Sequence, residues 1–456
     1  MSEEEIIEIK NERRLIRQKK RRKSRIIAFS VLIAFLVIVG VSAYFGVGAA
    51  VKTINEKVEE ANDNKEQIDE EVETFEELPI VEMTPEIIEE AEEEIEEEIP
   101  EEPEQSAEEL FDEMVETMIS EMSLEDKVAG LFIISPEILT GQGGVTKAGD
   151  GTKAALEKYA IGGIVYSKGN IKNAEQLKEM IDNTIGFSKY PLFVGISEES
   201  GDGAVLQPAL KLDKTASAKE LSDAADSNAV TDTYKTIGAY LNENGFNLDF
   251  APCADLTGGK YGESIGSRSF GAGSSESPAM IRASIEGLKE TGIVSCAKTF
   301  PGQGSASGDP HTAMVEMTRT RSEIEESELI PFKAAIEAGV DMIMVGHFSA
   351  PELTGDSMPC SMSKAVMTDL LRNDMGYDGV IITDAMNVPS ISEYYGADEV
   401  AVKAIKSGAD MVMCPENLEL AVNAVVEAVK EGTIDERRID DSLTRVYKIK
   451  YKGTLE

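Results

Sequence analysis

Residues 324–348 read IEESELIPFKAAIEAGVDMIMVGHF, and this stretch decides the fold. Apolar side chains recur at helical spacing as far as Gly339, and then 342–348 (MIMVGHF) runs apolar without alternation. The spacing predicts a helix over 324–339 feeding a strand over 342–348. A strand that is apolar on both faces is one covered on both faces, as in a parallel sheet flanked by helices. Seven more runs of this kind occur, at 130–135 (GLFIIS), 162–167 (GGIVYS), 192–197 (LFVGIS), 246–252 (FNLDFAP), 293–300 (IVSCAKTF), 379–385 (GVIITDA) and 411–415 (MVMCP). Helical patterns lie between them, among them 173–183 (NAEQLKEMIDN) and 418–431 (LELAVNAVVEAVKE). Eight strand–helix units in one continuous stretch predict an α/β fold, a (β/α)8 TIM-type barrel. The alternative, a doubly wound open sheet, usually carries a glycine-rich phosphate loop after its first strand, and the sequence has none.

Composition limits what such a barrel can do. The 456 residues hold 44 basic and 85 acidic side chains, a formal charge of −41, which argues against nucleic acid because phosphate binding needs a basic surface. Four cysteines, at 253, 296, 360 and 414, are dispersed and mostly inside apolar runs, so they form neither a disulfide framework nor a zinc motif. Two histidines cannot build a multi-histidine metal site.

The charge is unevenly spread. Residues 1–25 carry five acidic and ten basic side chains, 51–110 carry 26 and three, and 111–456 carry 54 and 31. Between the first two regions, 26–50 reads IIAFSVLIAFLVIVGVSAYFGVGAA, long enough to span a bilayer. The basic flank 13–25 (RRLIRQKKRRKSR) predicts a cytoplasmic N-terminus, with the rest of the chain extracytoplasmic. A cleaved signal peptide is the alternative, since Val47, Gly48 and Ala49 are small enough for a cleavage site, but ordinary apolar regions of that kind are shorter. Four domains are therefore expected: a basic cytoplasmic tail (1–25), a transmembrane anchor (26–50), an acidic stalk (51–110) and the barrel (111–456). In the stalk, Val51, Ile54, Val58, Ala61, Lys65, Ile68, Val72 and Phe75 follow a heptad pattern that could support a weak dimer. The pattern spans under four heptads among repelling glutamates, which favours a plain solvated spacer.

A barrel of this kind places chemistry at the C-terminal ends of its strands. Those ends carry Ser197-Glu198-Glu199, Asp255, Lys298-Thr299, His347, Asp384 and Glu416, and long loops follow the fourth and fifth strands at 254–278 and 301–317. The second loop contains Asp309-Pro310-His311, in which the carboxylate could fix the imidazole tautomer and raise its pKa, or the three residues could form a plain turn. Asp384 ends the seventh strand, where a carboxylate could be a nucleophile, a metal ligand, a helix cap or a rim acceptor. Lys298 needs a carboxylate or ligand partner there. Arg268 in the first loop could fork onto hydroxyls or a carboxylate.

The segments MSLEDKVAGLF (122–132), GGIVYSKGNIKNAEQLKEMI (162–181), GFNLDFAPCADL (245–256), SRSFG (267–271), CAKTFPGQG (296–304) with DPH (309–311), and GVIITDAM (379–386) occur in one order. In that order and spacing the chain resembles glycoside hydrolase family 3, in particular its single-domain bacterial β-N-acetylhexosaminidases, over about residues 120–450. The resemblance implies a glycoside hydrolase acting on O-glycosyl bonds and retaining the anomeric configuration. It makes Asp384 the nucleophile, His311 the acid/base and Asp309 its partner, with Lys298 and Arg268 holding the sugar. It calls for no metal or organic cofactor, and for a β-linked glycan, such as cell-wall N-acetylglucosamine, as substrate.

Two motifs depart from the family. Its KHFPGHG stands here as Lys298-Thr299-Phe300-Pro301-Gly302-Gln303-Gly304, and its DQEGG as Ser197-Glu198-Glu199-Ser200-Gly201. The expected substrate-binding set is thus Lys298, Arg268, Thr299, Ser197 and Glu199, with two of the family's usual sugar contacts replaced. Three functions remain open: a β-N-acetylhexosaminidase, an enzyme of the same mechanism on another β-linked sugar, or a catalytically silent glycan-binding protein.

Overall fold

The computed structural model describes residues 106–258, 261–272 and 275–452. The expected tail, anchor and most of the stalk lie outside the described residues. Among the described residues no helix is long and apolar enough to cross a membrane. The first described helix, Ala107–Ser120, begins four residues before the boundary that composition draws at 111. Ser106 and Glu109 form a capping box at its start, and Phe111, Val115 and Ile119 are its buried face.

Eight short parallel strands follow: β1 (Phe132–Ile134), β2 (Gly163–Val165), β3 (Phe193–Ile196), β4 (Leu248–Asp249), β5 (Val294–Phe300), β6 (Met342–Val345), β7 (Val380–Thr383) and β8 (Val412–Met413). Each lies inside one of the eight apolar runs. Hydrogen bonding orders them β7-β6-β5-β4-β3-β2-β1-β8. A parallel bridge between Ile382 and Met411 joins β7 to β8 and brings the ring round to closure. An open doubly wound sheet has two free edges, so this order excludes it.

Alternation along the strands sorts side chains into two layers. Ile133, Phe193, Leu248, Phe250, Cys296, Met342, Met344, Val380, Ile382, Met411 and Met413 fill the barrel interior. Phe132, Ile134, Val194, Ile196, Ala297, Ile343, Val345 and Ile381 face outward into the main core shared with the helices. All four cysteines are buried and free.

The helix expected over 324–339 is split into Arg321–Glu325 and Leu329–Glu337. Pro331 is the reason: it has no N–H to give to the carbonyl of Ser327, so a continuous i→i−4 ladder cannot cross the junction. The break leaves Glu328 buried with its carboxylate facing the loop after β5, where it meets Ser305 Oγ and lies 3.3 Å from Arg319 Nη1.

At the other end of the barrel, the fully buried Asp410 precedes β8. Its Oδ2 accepts from Arg372 Nη2 (2.6 Å) and the Ile381 N–H (3.0 Å), and its Oδ1 from Ser442 Oγ (2.7 Å) and Arg445 Nη1 (3.3 Å). Arg438 stands 3.5 Å away. This carboxylate ties β7 and the helix Ala365–Asp374 to the last helix, Glu436–Lys450. Removing one partner of a buried ion cluster leaves uncompensated charge, so Asp410→Ala is expected to cost about 3–5 kcal/mol of stability, read from urea unfolding midpoints.

Candidate active site

Ser197, Glu198 and Glu199 leave the end of β3, Lys298 lies near the end of β5 and Asp384 follows β7 directly, so the candidate residues gather at one rim. Two clusters form there.

The first is built on Glu199, whose side chain is 4% exposed. Arg268 donates to both its oxygens, Nε to Oε2 and Nη2 to Oε1, each at 2.7 Å. Lys298 Nζ lies 2.7 Å from Oε1 and also donates to Ser197 Oγ. Burial alone would raise the Glu199 pKa, but the Lys298 charge and the Arg268 fork outweigh it and bring it down to about 2. Lys298 and Arg268 are therefore neutralised in large part by a carboxylate of the protein. Next to it Glu198 does structural work. It accepts the N–H groups of Val205, Leu206 and Gln207, capping the helix Leu206–Leu210, and the Tyr240 hydroxyl at 2.7 Å.

Thr299 is buried, with its side chain beside the carboxylate of Asp255. Asp255 accepts the Gln303 N–H at 2.8 Å, and its carbonyl accepts from Ser269 Oγ at 2.6 Å. A single residue of the loop after β4 thus ties down the backbone at Gln303 and the Ser269 side chain next to Arg268. Burial pushes the Asp255 pKa up to about 6. Gln303, where the family motif has its second histidine, keeps a buried Oε1 with no partner.

The second cluster is a chain of three ionisable groups. His311 Nδ1 lies 2.9 Å from Asp309 Oδ1, and Nε2 lies 3.2 Å from Asp384 Oδ2. The Asp309 Oδ1 also accepts the His311 N–H at 2.9 Å, so the turn that places the carboxylate also aims the ring. The hydrogen bond to Asp384 raises the His311 pKa to about 9, against the opposing effect of burial, and Asp309 adds to it. Burial would raise Asp384, but its hydrogen bond from His311 and the nearby imidazole charge hold it far below the usual carboxylate range. At neutral pH the chain is carboxylate–imidazolium–carboxylate, with the imidazolium donating in both directions.

His347, at the end of β6, is the second histidine and does a different job. Its Nε2 donates to the Ala385 carbonyl at 2.9 Å, which leaves Nδ1 to accept from Ser361 Oγ at 2.9 Å. Burial lowers its pKa, so it stays neutral and holds the backbone one residue past Asp384. Its rim position was legible in the sequence; that it braces Asp384 was not, because Ser361 and Ala385 lie far from it along the chain. Glu416 is exposed and takes no part in either cluster.

A (β/α)8 barrel with an ionised carboxylate and an imidazolium paired at its C-terminal rim defines a barrel hydrolase with separate nucleophile and proton-donor candidates. The model of the glycosyl hydrolase family 3 N-terminal domain matches residues 123–449, and the chain belongs to that family. Beta-hexosaminidase A of Pseudoalteromonas piscicida is 28% identical over 331 residues, covering 65% of this chain and 54% of that protein. Beta-hexosaminidase LpqI of Mycobacterium tuberculosis is 29% identical over 339 residues, covering 72% of this chain and 83% of that protein. The solved structure of a family 3 β-N-acetylglucosaminidase from Paenibacillus sp. str. FPU-7 superposes with a TM-score of 0.68 at 29% identity, covering 73% of this chain and 63% of that one. The chain thus spans about half the length of the first relative and 83% of the second.

Proposed function

We propose that the protein is a retaining β-glycosidase that removes terminal β-linked N-acetylglucosamine from cell-wall or related glycans. The observation that carries this reading is the Asp309–His311–Asp384 chain at the barrel rim. Asp384 attacks the anomeric carbon while His311 Nε2–H protonates the departing oxygen; His311 then takes a proton from water as the glycosyl–Asp384 ester is hydrolysed. A hydrogen bond of 3.2 Å between Nε2 and Oδ2 leaves no room for a glycosidic oxygen, so substrate entry parts the two groups. Asp309 keeps the ring aimed through both steps. Relatives that carry the name β-hexosaminidase support the sugar assignment. The apolar segment 26–50 with its basic flank supports a single-pass anchor that holds the barrel outside the cytoplasmic membrane.

One observation favours a second reading, the same chemistry on another β-linked sugar. Ser197 and Thr299 replace family sugar contacts, Thr299 is turned onto Asp255, and Glu199 holds both cations. The test is hydrolysis of aryl β-glycosides of N-acetylglucosamine, N-acetylgalactosamine, glucose and xylose by the 456-residue chain. Release from N-acetylglucosaminide supports the first reading, and release only from another sugar supports the second. Silence on all four and on muropeptides leaves a glycan-binding role.

The pH profile follows from the two shifts. The proton donor is His311 in its charged form, so kcat/KM is expected to hold through neutral pH and fall as pH rises through about 9. Asp384 stays ionised far below neutrality and sets no limb near pH 5. His311→Ala is expected to lower kcat/KM by roughly 10²–10⁴-fold on glycosides with poor leaving groups and to abolish the alkaline limb.

A further inference from the structure

The Glu199 cluster holds two cations to one carboxylate, and its members differ in how far they open to solvent. The Glu199 side chain is 4% exposed and that of Lys298 8%, whereas 32% of the Arg268 side chain stays open. The donors can be counted. Arg268 spends Nε and Nη2 on Glu199, and its Nη1 has no partner among the described residues. Lys298 Nζ spends two of its three hydrogens, on Glu199 Oε1 and Ser197 Oγ. Ser197 is half-buried, and because it accepts from Lys298 its own O–H is left to give. The ionised acceptors around the cluster are already taken. Both Glu199 oxygens are engaged, and the two Glu198 oxygens are filled by three backbone N–H groups and the Tyr240 hydroxyl. Asp202 accepts from Ser267, next to Arg268, and is paired with Lys214 at 2.6 Å. Asp309 and Asp384 are both held by His311.

We propose that this cluster is a carboxylate-binding subsite and that the glycan taken at the rim is an acidic one. Its carboxylate receives Arg268 Nη1–H, the Ser197 hydroxyl and the third hydrogen of Lys298. The inference rests on the glycosidase reading above in taking the ligand to be a glycan, and it narrows the substrate of that reading. A neutral sugar hydroxyl can accept from these groups, but its own proton then needs an acceptor that the cluster does not hold. A donor left unpaired on binding costs affinity. A carboxylate has acceptor sites for all three donors and no proton to place. It also closes the charge, because two cations then face two carboxylates. The attraction is local: residues 111–456 carry 54 acidic against 31 basic side chains, so the surface as a whole repels anions. Two kinds of sugar present such a group, a uronic acid and a hexosamine bearing an ether-linked lactate. The cluster recognises the chemistry they share.

The test is a binding measurement on the 456-residue chain and does not depend on turnover. The probes are methyl 1-thio-β-glycosides, which resist hydrolysis, of glucuronic acid and of N-acetylmuramic acid. Each is paired with its own carboxamide, which has the same shape and no charge. Affinities are read by titration calorimetry at neutral pH, where both acids are ionised. At least one acid is expected to bind roughly 10- to 100-fold more tightly than its amide. A preference confined to the glucuronic acid pair makes the ligand a uronic acid, and one confined to the muramic acid pair makes it a lactyl-ether sugar. Two variants bring the cluster to zero net charge by opposite routes. Arg268→Gln removes a cation and the free Nη1 donors, and Ser197→Asp adds an anion and an acceptor. Each is expected to shrink the preference for acid over amide to about 3-fold or less. If one of them fails to fold, as its unfolding midpoint will tell, the other decides. Acids that bind no better than their amides, or a preference that survives the folded variants, overturn the proposal. Failure of the glycosidase reading looks different. An acid preference abolished by these variants in a protein that cleaves no aryl glycoside, neutral or acidic, refutes catalysis and leaves the carboxylate subsite standing. Cleavage of an N-acetylglucosaminide with no acid preference does the reverse.

Discussion

Asp384→Asn is expected to lower kcat by roughly 10⁴-fold or more on every β-glycoside that the protein cleaves. The substitution keeps the shape of the side chain and removes the charge that would form the glycosyl ester. It also removes the largest cause of the raised His311 pKa, so the imidazole is expected to titrate well below 9 in the variant. In Asp384→Gly, which empties the carboxylate's place, a small nucleophile such as azide is expected to restore cleavage of an activated glycoside and give the product of inverted configuration. Turnover that survives the substitution would remove Asp384 as nucleophile. A His311 pKa that stays near 9 would contradict the direct pairing of the two side chains.

The second large effect is on stability. Glu199 is buried and takes hydrogen bonds or charge from both Arg268 and Lys298. Glu199→Gln leaves two cations facing each other with no counter-charge, and about 3–5 kcal/mol of stability is expected to be lost. The linkage with pH has a definite sign. The carboxyl has a pKa of about 2 in the folded protein against an ordinary 4.5, so its contribution is present above pH 4.5. That contribution is lost as pH falls from there towards 2. Unfolding free energies measured between pH 6 and 2 should therefore fall more steeply for the unmodified protein than for Glu199→Gln. Parallel curves would show that the carboxylate is not the counter-ion of the site.

The Glu199 cluster also shows what a motif comparison can and cannot read. Lys298, Arg268 and Glu199 were each legible as rim residues, because strand ends and long loops can be counted along the chain. That Arg268 forks onto Glu199, 69 residues away, depends on how far the loop after β4 folds back over β3. Nothing in the local spacing of either segment encodes that distance. Thr299 makes the same point in reverse. It follows Lys298 in the sequence, but its buried side chain sits beside Asp255, a residue of the preceding strand–loop unit.

The catalytic chain was more legible. Asp309 and His311 are two residues apart, so a turn alone can pair them, and the raised imidazole pKa was foreseeable in direction. Its main cause was not, since Asp384 lies 73 residues further on, after β7, and meets Nε2 only because the long loop after β5 reaches past β6 to it. The role of Glu328 and the brace that His347 forms carried no signal that sequence spacing could expose, because each reaches across to a segment far from it along the chain.

What the sequence determined by itself is the barrel: eight continuous apolar runs separated by amphipathic helices admit few other ways to bury both faces of every strand. It also determined which residues stand at the functional rim, because in such a barrel the chain direction sets which end of each strand a residue occupies. Tertiary structure alone decided which of those residues touch, which cations are neutralised by Glu199 and which carboxylate charges His311. Those outcomes depend on loop paths and ångström-scale distances between segments far apart in sequence, where electrostatic and hydrogen-bond energies change steeply with separation.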